Sequence, residues 1–401
     1  MWEQIRSNQV RSLVLVVGMG VLLLLVGYFL GLAFADSAVV GLVIALVIWA
    51  IMSLVGYFQG DSILLAMSRA KKINRDDHPR LYNIVEEMKI ASGLPKMPDV
   101  YIIDDPALKA FATGRDPEKA SVAITSGLLQ KLNRDELQGV IAHEVSHIKN
   151  RDVLLMAMAS IMLGTIVILA WYGSRVMIFG GAGRSRRSSS SGGGQGQIII
   201  LIVALAFMIL APIFAYLIYY AISRKREYLA DASAALYTRY PEGLASALEK
   251  LGASTGQLKS ANQATAPMYI INPFRKKGRA ATDITSTHPP ISERIRILRS
   301  MAGGASFADY EQAYGQIHSG GGSIIPASAL ALAGASYKAV TPEKRPKEPD
   351  KLTRTRETSD LMWRMSNYKT IDCQCGTKLR VPPGFKESEI KCPHCGRTNP
   401  V

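Results

Sequence analysis

The chain has 401 residues, 48% of them hydrophobic, and carries 47 Lys and Arg against 32 Asp and Glu, a formal net charge of +15. Its apolar residues gather in a few long blocks, which excludes an ordinary soluble enzyme with one dispersed core. The basic excess suits an anionic lipid surface, and on charge alone nucleic acid stays open as a partner.

The first two blocks, Ser12–Ala35 and Ser37–Gly60, are uncharged and separated only by Asp36, which predicts a tight helical hairpin. Each reaches the ~20 residues needed to cross a hydrocarbon core about 30 Å thick. Arg6, Arg11 and the closing Ala33-Phe34-Ala35 resemble a secretory signal peptide and its cleavage site. The apolar core is much longer than the usual ~7–15 residues, however, and a second span follows at once. Val153–Ser174 and Ile198–Ile222 form a second pair, so the sequence predicts four transmembrane helices. Arg69, Lys71, Lys72, Arg75 and Arg80 follow the first pair and Arg224-Lys225-Arg226 the second. Both runs favour the cytoplasm, which predicts a multi-pass protein of the cell (inner) membrane with cytoplasmic termini. Arg175, Arg184, Arg186 and Arg187 run against that bias in the loop placed outside. Within that loop Gly180–Gly196 reads as a flexible connector.

Between the pairs, Pro79–Ala91 has helical periodicity through Leu81, Ile84, Val85 and Met88, and a turn at Gly93-Leu94-Pro95 leads to a short strand, Val100–Ile103. Ser121–Thr125 is a second strand candidate, followed by Leu128–Leu132. Asn133 and Glu136 then read as a capping box opening a helix with Leu137, Val140, Ile141, Val145 and Ile148 at helical spacing. That helix carries His143-Glu144-Val145-Ser146-His147, whose imidazoles, four apart, project from one face and suit zinc. Glu144, about 100° round the helix from His143, is placed to act on a bound water instead of ligating.

A catalytic zinc needs a third protein ligand. Glu227-Tyr228-Leu229-Ala230-Asp231 follows the fourth span, and an even number of crossings returns it to the histidines' side. The acid nearer the site can ligate while the other fixes an imidazole, and Asp152 suits a similar supporting part. On the residues alone the choice between the two acids, and a plain solvated acidic pair, stays open.

His143-Glu144-x-x-His147, Glu227-x-x-x-Asp231 after a membrane hairpin, and Ser286-Thr287-His288-Pro289-Pro290 with Arg294 together resemble the HtpX-like membrane metallopeptidases, relatives of the type I CAAX prenyl protease. The resemblance spans about the first three quarters of the chain and implies a mainly α membrane protein with a zincin-like α+β catalytic domain. It implies Glu227 as third zinc ligand, Glu144 as catalytic base, His288 as a donor to the developing oxyanion, and Arg294 beside them. Ala110-Phe111-Ala112-Thr113-Gly114 is similar to the family's substrate-edge segment, with Lys109 where the family usually has Asn. Peptide bonds of misfolded or damaged membrane proteins are the implied substrate. A prenyl-peptide enzyme shares the zinc chemistry but needs a lipid-sized chamber, which four helices enclose poorly.

From about Gly320 the composition turns to Gly, Ala, Pro and Lys, which predicts a linker. Beyond it, Cys373-Gln374-Cys375 and Cys392-Pro393-His394-Cys395 suit a small structural zinc ribbon, with two disulfides less favoured in a reducing compartment. The expected organisation is a transmembrane hairpin at 1–60, a metallopeptidase domain at 61–318 interrupted by a second hairpin at 153–222, a linker at 319–369 and a ribbon at 370–401. One catalytic and one structural zinc, protein or peptide substrates and a lipid bilayer are the expected partners, with nucleic acid less favoured. The rival expectation is a membrane-tethered binding module whose ribbon carries the function and whose histidine helix is a structural or degenerate metal site.

Overall fold

A computed structural model of the chain describes residues 2–180, 202, 203, 205, 206, 209–215, 224–254, 289–301, 303–318, 323–332, 338–340 and 348–401. Helices α1 (Trp2–Ala35) and α2 (Ala38–Met67) form the expected hairpin, turned at Asp36, whose φ is 50°, and at Ser37, which caps α2 through Val40 N–H. The two helices meet through small residues: a Cβ added to Gly41 would lie 2.0 Å from the carbonyl oxygen of Gly27. Trp49 Nε1 donates to Val16 O at 3.1 Å along the same seam. Overpacking already costs ~1–3 kcal/mol where a core can yield, and backbone cannot yield here. Gly41→Leu is therefore expected to cost at least about 3 kcal/mol and lower the thermal midpoint of the detergent-solubilised protein by several degrees; an unchanged midpoint would mean the seam is not close-packed.

The third long helix, α6 (Asp152–Gly180), packs Leu155, Met162, Leu163 and Ile166 against Met19, Leu22 and Val26 of α1 and against Ala211 and Ala215. Ala38–Met67 and Asp152–Tyr172 are long and apolar enough to cross a bilayer, while the apolar stretch of α1 is shorter, Val16–Leu32. The fourth expected span lies mostly outside the described residues and is helical at 209–215. The connector expected at Gly180–Gly196 lies outside them but for its first residue.

The part between and after the long apolar helices is an α+β unit. Strands β1 (Lys71–Ile73), β2 (Asp99–Ile103), β3 (Ala110–Gly114) and β4 (Ala120–Thr125) form a sheet in the order β1-β2-β4-β3, with β2 and β4 parallel and the outer pairings antiparallel. The period-two alternation of a strand sorts its two faces. Val100, Ile102, Ala110, Ala112, Val122 and Ile124 enter the main core, whereas Ile103, Phe111 and Ala123 meet Leu64 and Leu65 of α2 and Met156 and Ala157 of α6. The sheet is thus seated on the ends of the two long apolar helices.

Helix α3 (Pro79–Ser92) starts at His78, whose Nδ1 accepts from Leu81 N–H, and ends at left-handed Gly93. After the short α4 (Ser126–Lys131) comes α5 (Arg134–Lys149) with the expected capping box complete. It lies beneath the sheet and against α7 (Arg224–Thr238) and α8 (Pro241–Ala253). Helix α9 (Ile291–Arg299) crosses α7 and α8, followed by α10 (Phe307–Ile317). The stretch expected to be a linker holds two helices, α11 (Ala327–Leu332) and α12 (Lys351–Met365), and is more than a spacer. The tail folds as two β-hairpins, β5 (Lys369–Asp372) with β6 (Lys378–Val381) and β7 (Glu389–Lys391) with β8 (Thr398–Pro400).

Candidate metal centre

The apolar stripe of α5 turns Leu137, Val140, Ile141, Val145 and Ile148 into the core. His143 and His147 leave from its flank toward α7, and both are buried with Glu144 and Glu227. The two Nε2 atoms are 3.2 Å apart, and Glu227 places Oε2 3.7 Å from the first and Oε1 3.6 Å from the second. Donors held ~2.1 Å from one tetrahedral zinc lie about 3.4 Å from each other. The observed spacings are close to that value, so the three residues could hold one such ion.

The other ring nitrogens explain why. His143 Nδ1 lies 2.9 Å from Asp231 Oδ1, and His147 Nδ1 lies 3.0 Å from Asp152 Oδ2. Burial opposes ionisation of Asp231, but Arg294 holds it below the usual carboxylate range, so it stays ionised and accepts a hydrogen bond from His143 Nδ1. With both Nδ1 atoms donating outward, each ring, once its Nε2 is unprotonated, turns that lone pair toward the other and toward a carboxylate. Three converging lone-pair donors repel unless a cation sits among them, so the donor set fits zinc.

Backbone and charge hold this cage. Arg151, with a left-handed φ of 57°, turns the chain between α5 and α6, so that Asp152, the first residue of the long apolar helix, comes back against His147. Arg294 is fully buried and forks onto Asp231, Nε to Oδ2 and Nη2 to Oδ1, both at 2.7 Å; its Nη1 lies 3.4 Å from Glu227 Oε2. Glu227 and Asp231, one turn apart on α7, are thereby fixed relative to each other. Of the two acids, Glu227 faces the histidine Nε2 atoms and Asp231 supports a ring.

Glu144 turns toward the sheet, where its carboxylate accepts the backbone N–H of Ala112. Burial pushes this carboxyl above its ordinary value, while His143 and His147 act against the shift. Ala110, Phe111, Ala112 and Thr113 are the buried strand β3, the outer strand of the described sheet, and its outer edge faces Glu144. His288 lies outside the described residues, as do Ser286 and Thr287.

A second tie between α7 and α9 is invisible in the sequence. The Tyr228 hydroxyl donates to Glu293, which also takes His318 Nε2 at 2.9 Å, and Tyr314 stacks on His318 with centroids 4.1 Å apart. Tyr228 and Glu293 neighbour Glu227 and Arg294 in the chain, so this network and the buried fork brace the same helix pair. Only their adjacency to singled-out residues hinted at it.

The four cysteines also converge. All are free, their sulfurs lie within 4.8 Å of one another, and Cys373–Cys395 and Cys375–Cys392 are 3.6 and 3.7 Å apart. Thiolates ~2.3 Å from one zinc are separated by about 3.8 Å. Hydrogen bonding with Thr377 brings the Cys375 thiol down to about 5, while against a backbone bond from Arg397 the crowding of Cys375 and the other sulfurs pushes Cys395 up to about 11.

Comparison with known proteins agrees with this geometry. Residues 75–302 match Peptidase family M48. The chain is 44% identical over 300 residues to the protease HtpX homolog of Dictyoglomus turgidum, covering 75% of this chain and 94% of that protein. It is 46% identical over 301 residues to the protease HtpX homolog of Streptococcus mutans serotype c, covering 75% and 100%. Among solved structures, S. mikatae Ste24p aligns with 74% of this chain and 67% of that chain at 18% identity and a TM-score of 0.40. The chain belongs to peptidase family M48.

Proposed function

We propose that the protein is an integral membrane zinc endopeptidase whose catalytic face and termini lie in the cytoplasm. The observation that carries this reading is the convergence of His143 Nε2, His147 Nε2 and a Glu227 carboxylate from before and after the second pair of apolar segments, with Glu144 beside them. Zinc held by these three residues would supply an open coordination position for water and a Lewis acid for the scissile carbonyl. Glu144 accepts the water's proton and returns it to the leaving amine. Asp231 and Asp152 hold the imidazoles in the ligating tautomer. An extended peptide pairs with the outer edge of β3 across Ala110–Thr113, which brings its carbonyl over Glu144. His288 is assigned as oxyanion donor and Arg294 as the support of Asp231. Misfolded or damaged membrane proteins are the proposed substrates; the similarity to protease HtpX homologs supports a protease. Cys373, Cys375, Cys392 and Cys395 are proposed to hold a second, structural zinc.

Purified protein and an unfolded membrane protein as substrate test the reading: a chelator stops cleavage and zinc restores it. Cleavage that ignores the chelator would overturn the reading. The restoration carries a pH signature. Burial disfavours a charged His143, yet hydrogen bonds to Asp231 and Glu227 raise it to about 9. Without metal a proton on Nε2 therefore stands among the converging donors at neutral pH, and zinc must displace it. Apparent zinc affinity is expected to rise about tenfold per pH unit from neutrality, levelling off near the His143 value of about 9. An affinity flat across that window would show that His143 carries no such proton.

A further inference from the structure

The matched family region ends at residue 302, and the chain continues for a quarter of its length beyond it. That extension is fastened to the catalytic helix. On α12, Leu361 is fully buried in the main core with Met362 and Met365 packed against it, and the buried Thr358 bonds back to Arg354 O. Lys71 Nζ donates to Met365 O at 2.8 Å and Arg364 to Asp77 O at 3.0 Å, tying the end of α12 to the β1–α3 corner.

Just before α12, the Glu348 carboxylate accepts the backbone N–H of Arg134, the first residue of the histidine helix. The same carboxylate lies 3.5 Å from Arg80 Nη1 and 3.6 Å from Arg354 Nη1. The first N–H groups of a helix have no intrahelical acceptor and sit at the positive end of its dipole. Asn133 and Glu136 serve the N-cap and third position through the capping box, and Glu348 serves Arg134. The ribbon in turn holds α12: Arg380 pairs with Asp360 and lies over the Trp363 ring at 5.2 Å, and Lys378 approaches Asp360 at 3.8 Å.

We infer that the carboxy-terminal extension is an intramolecular clamp on the helix that carries His143 and His147, with Glu348 as its positioning residue and the folded ribbon holding α12 in place. His143 is nine residues from the clamped end, about 13 Å along the axis. An end free to fray transmits its motion to the metal-binding turns, and a capped one does not. The ribbon in this reading serves the domain it is docked on and is no independently tethered module. The clamp itself does not depend on the proposed peptidase activity, because its test reads backbone exchange.

Hydrogen exchange of the full chain in detergent, read on the peptide 126–140, is the test. Glu348→Ala is expected to speed exchange at the start of α5 roughly fivefold, with protection largely rescued by Glu348→Asp and loosened zinc retention in step. Leu361→Asp, which undocks α12, is expected to do the same more strongly. Should that variant lose protection throughout, Glu348→Ala decides alone. Wild-type exchange over 126–140 in Glu348→Ala would overturn the clamp, and so would an equal loss in Glu348→Asp. Wild-type exchange in Cys375→Ser with Cys395→Ser would overturn the ribbon's part in it.

Discussion

Glu144→Gln is expected to retain zinc and lose proteolysis by about 10²–10⁴-fold or more, the contribution of a positioned proton acceptor. The substitution is nearly isosteric, and the amide oxygen can keep the bond from the Ala112 N–H. Because burial already pushes the Glu144 carboxyl toward its neutral form, a neutral amide costs the fold nothing there, and the melting midpoint is expected to hold or rise. The three donor atoms belong to other residues, so metal content is expected to match that of the wild type. Turnover, zinc stoichiometry and melting measured on one preparation separate the outcomes. Full turnover would remove Glu144 from the chemistry, while lost zinc would show that it helps hold the metal.

What the sequence revealed depended on how local each signal was. The histidine helix announced itself because its cap, apolar stripe and two imidazoles all lie within seventeen residues, and the structure adds only their orientation. Glu227 and Asp231 were findable as a pair but not separable: at helical spacing both share a face, and only the crossing of α9, which brings Arg294 onto Asp231, shows which acid turns to the metal side. Strand β1 escaped because three residues with one buried position, Ile73, carry no periodicity. Helix α12 escaped for a related reason. Its surroundings are rich in Pro and Lys, its deepest anchor is a single residue, Leu361, and the helix it packs against, α4, lies more than 200 residues earlier. The Tyr228–Glu293–His318 network joins three helices from distant parts of the chain and has no sequence signature.

Asp231→Ala is expected to be the most damaging substitution for the fold, because it leaves a guanidinium buried without its fork. Arg294 is 0% exposed and places two nitrogens 2.7 Å from the two oxygens of Asp231. Breaking a buried pair from one side costs ~3–5 kcal/mol, since the remaining charge keeps its desolvation penalty without the attraction that offset it. The same change removes the acceptor that orients His143 Nδ1 at 2.9 Å, so zinc affinity is expected to fall about 10–100-fold besides. The two losses come apart in Asp231→Leu with Arg294→Met. Taking both charges out restores most of the stability, as apolar replacements of buried pairs do, but His143 still lacks its acceptor and zinc binding stays weak. Linkage gives a third check. With its folded-state pKa held below the ordinary value by Arg294, Asp231 contributes stability above its unfolded pKa and loses it as pH falls through the folded one. The wild type is therefore expected to lose part of its advantage over the apolar double variant in acid and keep it at neutral pH. Equal zinc affinity in the double variant and the wild type would show that Asp231 serves the fold alone, and an undisturbed melting midpoint in Asp231→Ala would show that Arg294 finds its partner elsewhere.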